Sequence, residues 1–557
     1  MAHLPMKRKM DTNLKHKIII VALLLLAALL FVGCDGAKPE DGTTSSDSAP
    51  SAIPTPVIPD PDDHYCTIIE NKTGRVISPV RTKDEYRFYL PGGVDPTDLT
   101  LNCVIGEDYI ATLRGVDLTE SQQFRLNAAE TRELTVTFTA KEGERTTCRY
   151  TFFASSANIL FLEVDESLGS ISAMNGDKNH ETYCYGSLTY IAEEGMYSFD
   201  SSFSLKGRGN ATWDDEKKGY ALKLYDDDSY VNKNKVSVSG MGASANWVLL
   251  ANHRDRTLIR NALAQTLAAK LGMENAVKFV FVDVYMNGEH LGLYNLAQKV
   301  ESGKAQVDID EAEADNLSGG YLLEFDNYSD TPQIKLEQSG MLVTVNSPDD
   351  LESYTAIEKL LNEAETAIRD ADGYNQRTGK HWYDYIDIES FAILWIVREY
   401  TMDNDATVNF RFYYDPEDGK FHAGPAWDFD NSMARNNGVF ADPTYPLIES
   451  GHRNTSCWLR KLMKFDEFNE EIVRLYTKHR RLFTTSHEQS IYALSFRMAE
   501  ELDYSIMQNF TVWEHQLANP SWNTPDEPTY EAHFEILTDF LAGRNEFFGE
   551  YIPDLVD

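Results

Sequence analysis

Apolar residues change their spacing once along this chain of 557 residues, near residue 350, and that change limits the folds open to it. Upstream they come in short alternating runs such as Tyr220-Ala221-Leu222-Lys223-Leu224, which put every second side chain on one face of a strand. Downstream they recur at three- and four-residue steps, as at Ile388, Phe391, Ala392 and Trp395, the spacing of one helix face. A chain that makes this switch builds a sheet-rich part and then a helical part, so the expected class is α+β.

The length is enough for more than one core, because single cores rarely keep growing beyond about 250 to 300 residues. Three folded parts are expected. Residues 64–155 show short β-rich runs, among them 85–90, 134–139 and 150–153, whose spacing predicts a small β-sandwich without a convergent polar set. Residues 156–345 read as a mixed α/β lobe. Within it Asn287-Gly288 predicts a hairpin turn, and Asp255 is expected to cap a helix that carries Ile259, Ala262, Leu263 and Leu267 and stops at Gly272. Residues 346–557 read as a helical lobe, with helices over 354–371, 388–400 and 457–482 and one hairpin over 408–427.

The first 34 residues read as a secretory signal. Lys7, Arg8, Lys9, Lys15 and Lys17 precede an apolar run from Ile18 to Val32. The run ends in Val32-Gly33-Cys34, which resembles the lipobox of bacterial lipoproteins, so Cys34 is the expected lipidation site. An uncleaved anchor is disfavoured, because about 15 apolar residues fall short of the roughly 20 that span a bilayer. Residues 35–63, rich in Asp, Ser, Thr and Pro, read as a disordered linker that lifts the folded parts off a membrane. The expected location is the cell envelope, on its extracytoplasmic side.

Charge excludes one class of partner. With 51 Lys plus Arg against 88 Asp plus Glu, the net charge of -37 repels phosphate backbones, so nucleic acid is not expected. Apart from Cys34 the cysteines are Cys66, Cys103, Cys148, Cys184 and Cys457, with no CxxC or Cys/His spacing that suits zinc. Two states remain open for Cys103 and Cys148: a disulfide inside the β-rich part, or buried thiols.

Chemistry concentrates around the hairpin. The helix from Ile388 gives way to Asp403, Asp405 and Asn409, and the returning strand runs into Trp427-Asp428-Phe429-Asp430. If the turn centres near Glu417, antiparallel pairing sets Asp405 roughly opposite Phe429, and Asp403, Asp405, Asn409, Asp428 and Asp430 meet. Carboxylates converging in this way repel one another unless a hard cation sits among them, and Mg²⁺ favours such oxygen ligands.

Several segments, in order, carry a family resemblance. Arg208-Gly209-Asn210-Ala211-Thr212-Trp213 with Lys217-Lys218 and Tyr220-Ala221-Leu222-Lys223-Leu224 comes first. Asn246-Trp247-Val248-Leu249-Leu250 with Asp255 and Ile259-Arg260-Asn261 follows, then Gly292-Leu293-Tyr294, Gly320 to Glu324, and Trp427-Asp428-Phe429-Asp430. Together they resemble the CotH (spore coat protein H) kinase family over about residues 159–435. The resemblance implies an atypical, two-lobe protein-kinase-like domain that uses ATP and Mg²⁺ (or Mn²⁺) to phosphorylate protein hydroxyls at the cell surface. It implies Asp405 as the catalytic Asp, and Asn409 and Asp428 as metal ligands with Asp430 beside them. For the nucleotide, which needs fixed cationic donors, Arg208, Lys218 and Lys223 are the candidates, the choice between the lysines stays open, and Glu324 is the candidate carboxylate that orients Lys223. Two departures stand out: no basic residue neighbours Asp405 in sequence, and Gln298 stands where an acidic residue is usual.

The leading function is therefore a secreted, membrane-anchored protein kinase. Its alternative is a catalytically inactive surface adhesion or scaffold lipoprotein on the same fold. A pure scaffold has no physical need for clustered carboxylates, so the set Asp405, Asn409 and Asp428 favours the enzyme.

Overall fold

Residues 65–154 form two sheets because their alternating side chains need a second apolar face to cover the first. The computed structural model describes residues 64–556, apart from 82–84, 91–93, 107, 119–123, 129, 193–198, 327–331 and 519–524. The signal-like segment, Cys34 and the linker lie outside the described residues. Tyr65–Glu70 and Leu99–Val104 centre a four-stranded sheet, and Arg145–Ala154 lies within a six-stranded one, paired parallel to Tyr86–Leu90 and antiparallel to Glu133–Ala140. Ile68, Leu101, Phe88, Val136, Phe138 and Tyr150 share the core between them. Cys103 and Cys148 are not joined in a disulfide. Across the ladder from Cys103 stands Cys66, their sulfurs 3.2 Å apart, while Cys148 belongs to the other sheet.

The next strands close into a barrel in the order Asn158–Val164, Tyr183–Ile191, Phe199–Arg208, Gly219–Tyr225, Asn246–Leu250, Glu289–Gln298 and Phe279–Met286. Alternation fills it: Tyr220, Leu222 and Leu224 point into a core shared with Phe203, Trp247 and Tyr294, while Ala221 and Lys223 take the other face. Asn287 and Gly288 make the expected turn, with φ of 49° and 82°. The helix Arg260–Leu271 packs outside the barrel and ends at Gly272, φ 105°. The N-cap position is Ile259 and not the expected Asp255, which lies four residues earlier but still reaches the first turn. Its carboxylate accepts the Arg260 backbone N–H at 2.8 Å and pairs with the Arg260 guanidinium, which makes it a clamp on the first turn.

The expected boundary at 345/346 falls inside a strand. Leu342–Ser347 belongs to a five-stranded sheet ordered Gln333–Lys335, Leu342–Ser347, Tyr321–Phe325, Phe410–Asp415 and Lys420–Ala423. The late hairpin is thus built onto a strand from the earlier part, because two strands alone are marginal in water. The helix expected over 457–482 is broken into Trp458–Leu462, Asp466–Lys478 and a short turn, Arg480–Leu482. Phe465 interrupts it in an extended conformation, stacking on Trp382 at 5.1 Å. Helices Ile388–Thr401 and Tyr530–Tyr551 are held together by the fully buried Arg544, which donates to Glu399 at 2.7 Å. Mixed α+β content is what the sequence pattern predicts. Among the described residues no helix is long and apolar enough to cross a membrane.

Candidate functional site

The hairpin pairs Tyr413 with His422 and Phe412 with Ala423. Continued outward, that register sets Asp405 against Asp430, one residue from the expected partner. The helix Ile388–Thr401 stops at Met402, φ 51°, and the chain turns sharply. Asp403 is buried there. It pairs with Arg398 and accepts the Asp405 N–H at 3.1 Å, so its role is to fix the loop. Burial pushes its carboxyl up to about 7, against the pull of Arg398. The Asp405 carbonyl accepts the N–H groups of Val408 and Asn409, both at 3.0 Å, which orients Asn409.

Asp428 and Asp430 flank Phe429, which is fully buried. Neither carboxylate has a hydrogen-bond or ion-pair partner among the described residues, and neither has the Asn409 amide. Burial raises the Asp428 carboxyl, opposed chiefly by Arg208. Burial and then the charge of Asp428 push Asp430 up to about 8. Two carboxylates held this way bind protons or a cation.

These groups line a cavity of about 530 Å³ between the barrel, the helix Arg260–Leu271 and the end of the hairpin. Arg208, Glu324, Asp405, Asn409, Asp428 and Asp430 all face it, so six of the expected site residues are brought together. Part of the wall is apolar: Leu250, Val277, Phe279, Ala297 and Trp427 form one cluster. Arg208 and Arg411 both lie over the Trp427 ring, at 5.0 and 5.4 Å. The Arg208 guanidinium donates to no acceptor among the described residues, and burial, reinforced by Arg411, lowers it to about 10. A guanidinium that faces a cavity with no acceptor fixed to it is a prepared anion site.

Two expected cations lie elsewhere. Lys218 donates to the Trp213 carbonyl and sits over that ring at 4.9 Å. Lys223 is on the outward face of its strand, over Tyr225 at 5.6 Å. Neither lines the cavity. Glu324 accepts from Arg411 at 3.1 Å, so its partner is an arginine and not a lysine. Gln298 donates to the carbonyls of Met241 and Ala305 at 2.7 and 2.6 Å, a loop-fastening role.

The basic partner missing beside Asp405 in sequence arrives from 48 residues downstream, where Arg453 pairs with its carboxylate. Arg254, Arg411 and Arg435 also line the cavity. Nothing local marks Arg254, Arg435 or Arg453. Arg411, between the buried Phe410 and Phe412 of an alternating strand, was the one that pleating could have pointed to.

A family model described as "CotH kinase protein" matches residues 205–548. The chain belongs to the CotH kinase family. The match starts at 205, later than the expected 159, and takes in the second half of the barrel, the residues of the cavity and the helices through most of Tyr530–Tyr551, beyond the expected 435. CotH membership points to a kinase-like function. No curated protein matches the chain.

Proposed function

We propose that this protein is a lipid-anchored, extracytoplasmic kinase that moves a phosphoryl group from ATP to hydroxyls of a surface protein, using a divalent metal. The two-lobe, kinase-like arrangement belongs to that proposal, with the barrel as one lobe and the helices as the other, as does reading residues 65–154 as a sandwich-like spacer.

The observation that carries it is the set of unpartnered groups facing one cavity: the Asp428 and Asp430 carboxylates, the Asn409 amide and the Arg208 guanidinium. They fit a metal-nucleotide. Among the described residues no three His, Cys, Asp or Glu side chains gather as a metal site by themselves. Two carboxylates and an amide leave places for other oxygens, and Mg²⁺ is held by one or two carboxylates plus substrate phosphates. Asp428, Asn409 and Asp430 would hold the metal, which when bound neutralises charge developing on transferring phosphate oxygens. Arg208 would hold phosphate oxygens, with Trp427 beneath it. Asp405 would accept a proton from the incoming hydroxyl, its pairing with Arg453 turning it toward the cavity. Arg435 and Arg254, which oppose the rise at Asp430, keep the acidic cluster from excluding a polyphosphate.

Thermal unfolding with ATP plus Mg²⁺ or Mn²⁺ tests the reading. A rise that neither ATP nor metal gives alone is expected. If none appears, the inactive scaffold reading takes its place. The anchor is tested separately: Cys34→Ser should move the protein out of the membrane fraction or leave its precursor unprocessed, and membrane retention at the mature mass would contradict lipidation.

A further inference from the structure

The apolar part of the cavity wall contains two amide side chains whose orientation is fixed by the backbone. Gln265, on the helix Arg260–Leu271, meets the Ala426 carbonyl at 2.8 Å. A carbonyl only accepts, so the amide must present its Nε2 there, and its Oε1 is left over. That oxygen is buried and has no hydrogen-bond partner.

Asn295 is fixed from further away. The Phe429 N–H can only donate, and it meets Asn261 at 2.8 Å, so Asn261 presents Oδ1 to it. Asn261 then turns its Nδ2 to Asn252 Oδ1 at 3.1 Å, and Asn252 turns its Nδ2 to Asn295 Oδ1 at 2.6 Å. The sequence of obligate donors leaves Asn295 with an open Nδ2, which is also buried and unpartnered. Both residues line the cavity, and they are 5% and 1% exposed.

A buried donor and a buried acceptor without partners each cost free energy, which a ligand offering the complementary atoms recovers. The apolar cluster of Leu250, Val277, Phe279, Ala297 and Trp427 suits a flat heterocycle. We propose that Gln265 and Asn295 read the edge of the nucleotide base, Gln265 Oε1 accepting from an exocyclic amino group and Asn295 Nδ2 donating to the adjacent ring nitrogen, and so select a 6-aminopurine. This rests on the nucleotide reading of the cavity. A 6-aminopurine offers one donor, one acceptor and then a C–H, so no polar atom is stranded against the apolar wall. A 6-oxopurine in the same seat sets oxygen against Gln265 Oε1 and N–H against Asn295 Nδ2, and a 2-amino group adds a donor with nothing to receive it.

The test compares ligands on the unaltered protein. With Mg²⁺ present, dissociation constants are measured for ATP, 1-deaza-ATP, purine riboside triphosphate, ITP and GTP. Loss of the ring acceptor or of the amino group alone should weaken binding roughly tenfold, and ITP and GTP should bind on the order of a hundredfold more weakly than ATP. In Gln265→Met the preference of ATP over purine riboside triphosphate should collapse to near unity. ITP bound within about threefold of ATP would overturn the base-reading role and leave metal-nucleotide binding standing. Absence of binding by every triphosphate would overturn both.

Discussion

Asp428 holds a φ of 69°, a conformation that costs a non-glycine residue about 1 kcal/mol or more unless its surroundings impose it. The surroundings here are Phe429, buried below Arg398 and tied by its N–H to Asn261. Asparagine tolerates this conformation well, so Asp428→Asn should fold. It should lose the metal-dependent stabilisation by ATP, and its ligand-free form should melt higher than the parent because the charge that repels Asp405 and Asp430 is gone. Asp405→Asn should differ from it. An amide cannot accept the substrate proton, so nucleotide stabilisation should persist while transfer falls by roughly 10² to 10⁴. Thermal unfolding and labelled-phosphate incorporation separate the two variants, and equal loss of binding in both would contradict the assigned roles. The pairing of Asp405 with Arg453 does not block this role. Both groups are more than a third exposed, and ion pairs of that kind contribute about 0 to 1 kcal/mol, so an incoming hydroxyl can displace it.

Between elements, a buried lysine makes a joint whose pH dependence can be measured. Lys217 is 1% exposed, donates to the Leu293 carbonyl at 2.5 Å and to Asn509 at 2.8 Å, and lies over the Tyr294 ring at 4.4 Å. It fastens the helix Asp503–Val512 to the barrel strand Glu289–Gln298. Burial lowers its ammonium to about 7, opposed by Asp283. Below that value the folded protein carries a charge it disfavours. Between about pH 7 and the unperturbed lysine value near 10 the unfolded chain binds more protons, so stability rises with pH across that window. In Lys217→Met this rise in melting temperature should be smaller, and an unchanged slope between pH 7 and 9 would count against the joint. Elements set by local rules were legible in the sequence: the Asn287-Gly288 turn, the alternating barrel strands, the helix from Ile388 and the hairpin that brings Asp405 and Asp428 together. Features set by distant chain were not. Arg453 reaches Asp405 from another loop, Lys218 folds back on Trp213, and the hairpin sheet crosses the boundary expected at 345, because long-range pairing leaves no local periodicity.

At the scale of the molecule, every residue that lines the cavity lies at or beyond Arg208, so the β-rich part should be separable from nucleotide binding. It is not loosely hung. Tyr89 and Phe153 share an apolar cluster with Ile159, Phe161 and Ile191, and the Asp283 carboxylate accepts from Ser155 and Ser505 at 2.7 and 2.6 Å. A fragment of residues 155–557 should therefore melt lower than the longer protein, since that cluster loses its cover, yet keep the shift with ATP and Mg²⁺; loss of the shift in a folded fragment would show that the β-rich part serves the site. The most direct measurement is transfer itself. Residues 35–557 are incubated with γ-labelled ATP and Mg²⁺ or Mn²⁺, alone and with a Ser/Thr-rich acceptor protein. Label should enter protein only when metal is present, and neither Asp405→Asn nor Asp428→Asn should support it. Label that enters equally in both variants, or no label and no stabilisation by ATP with either metal, would contradict a phosphotransfer site at the end of the hairpin.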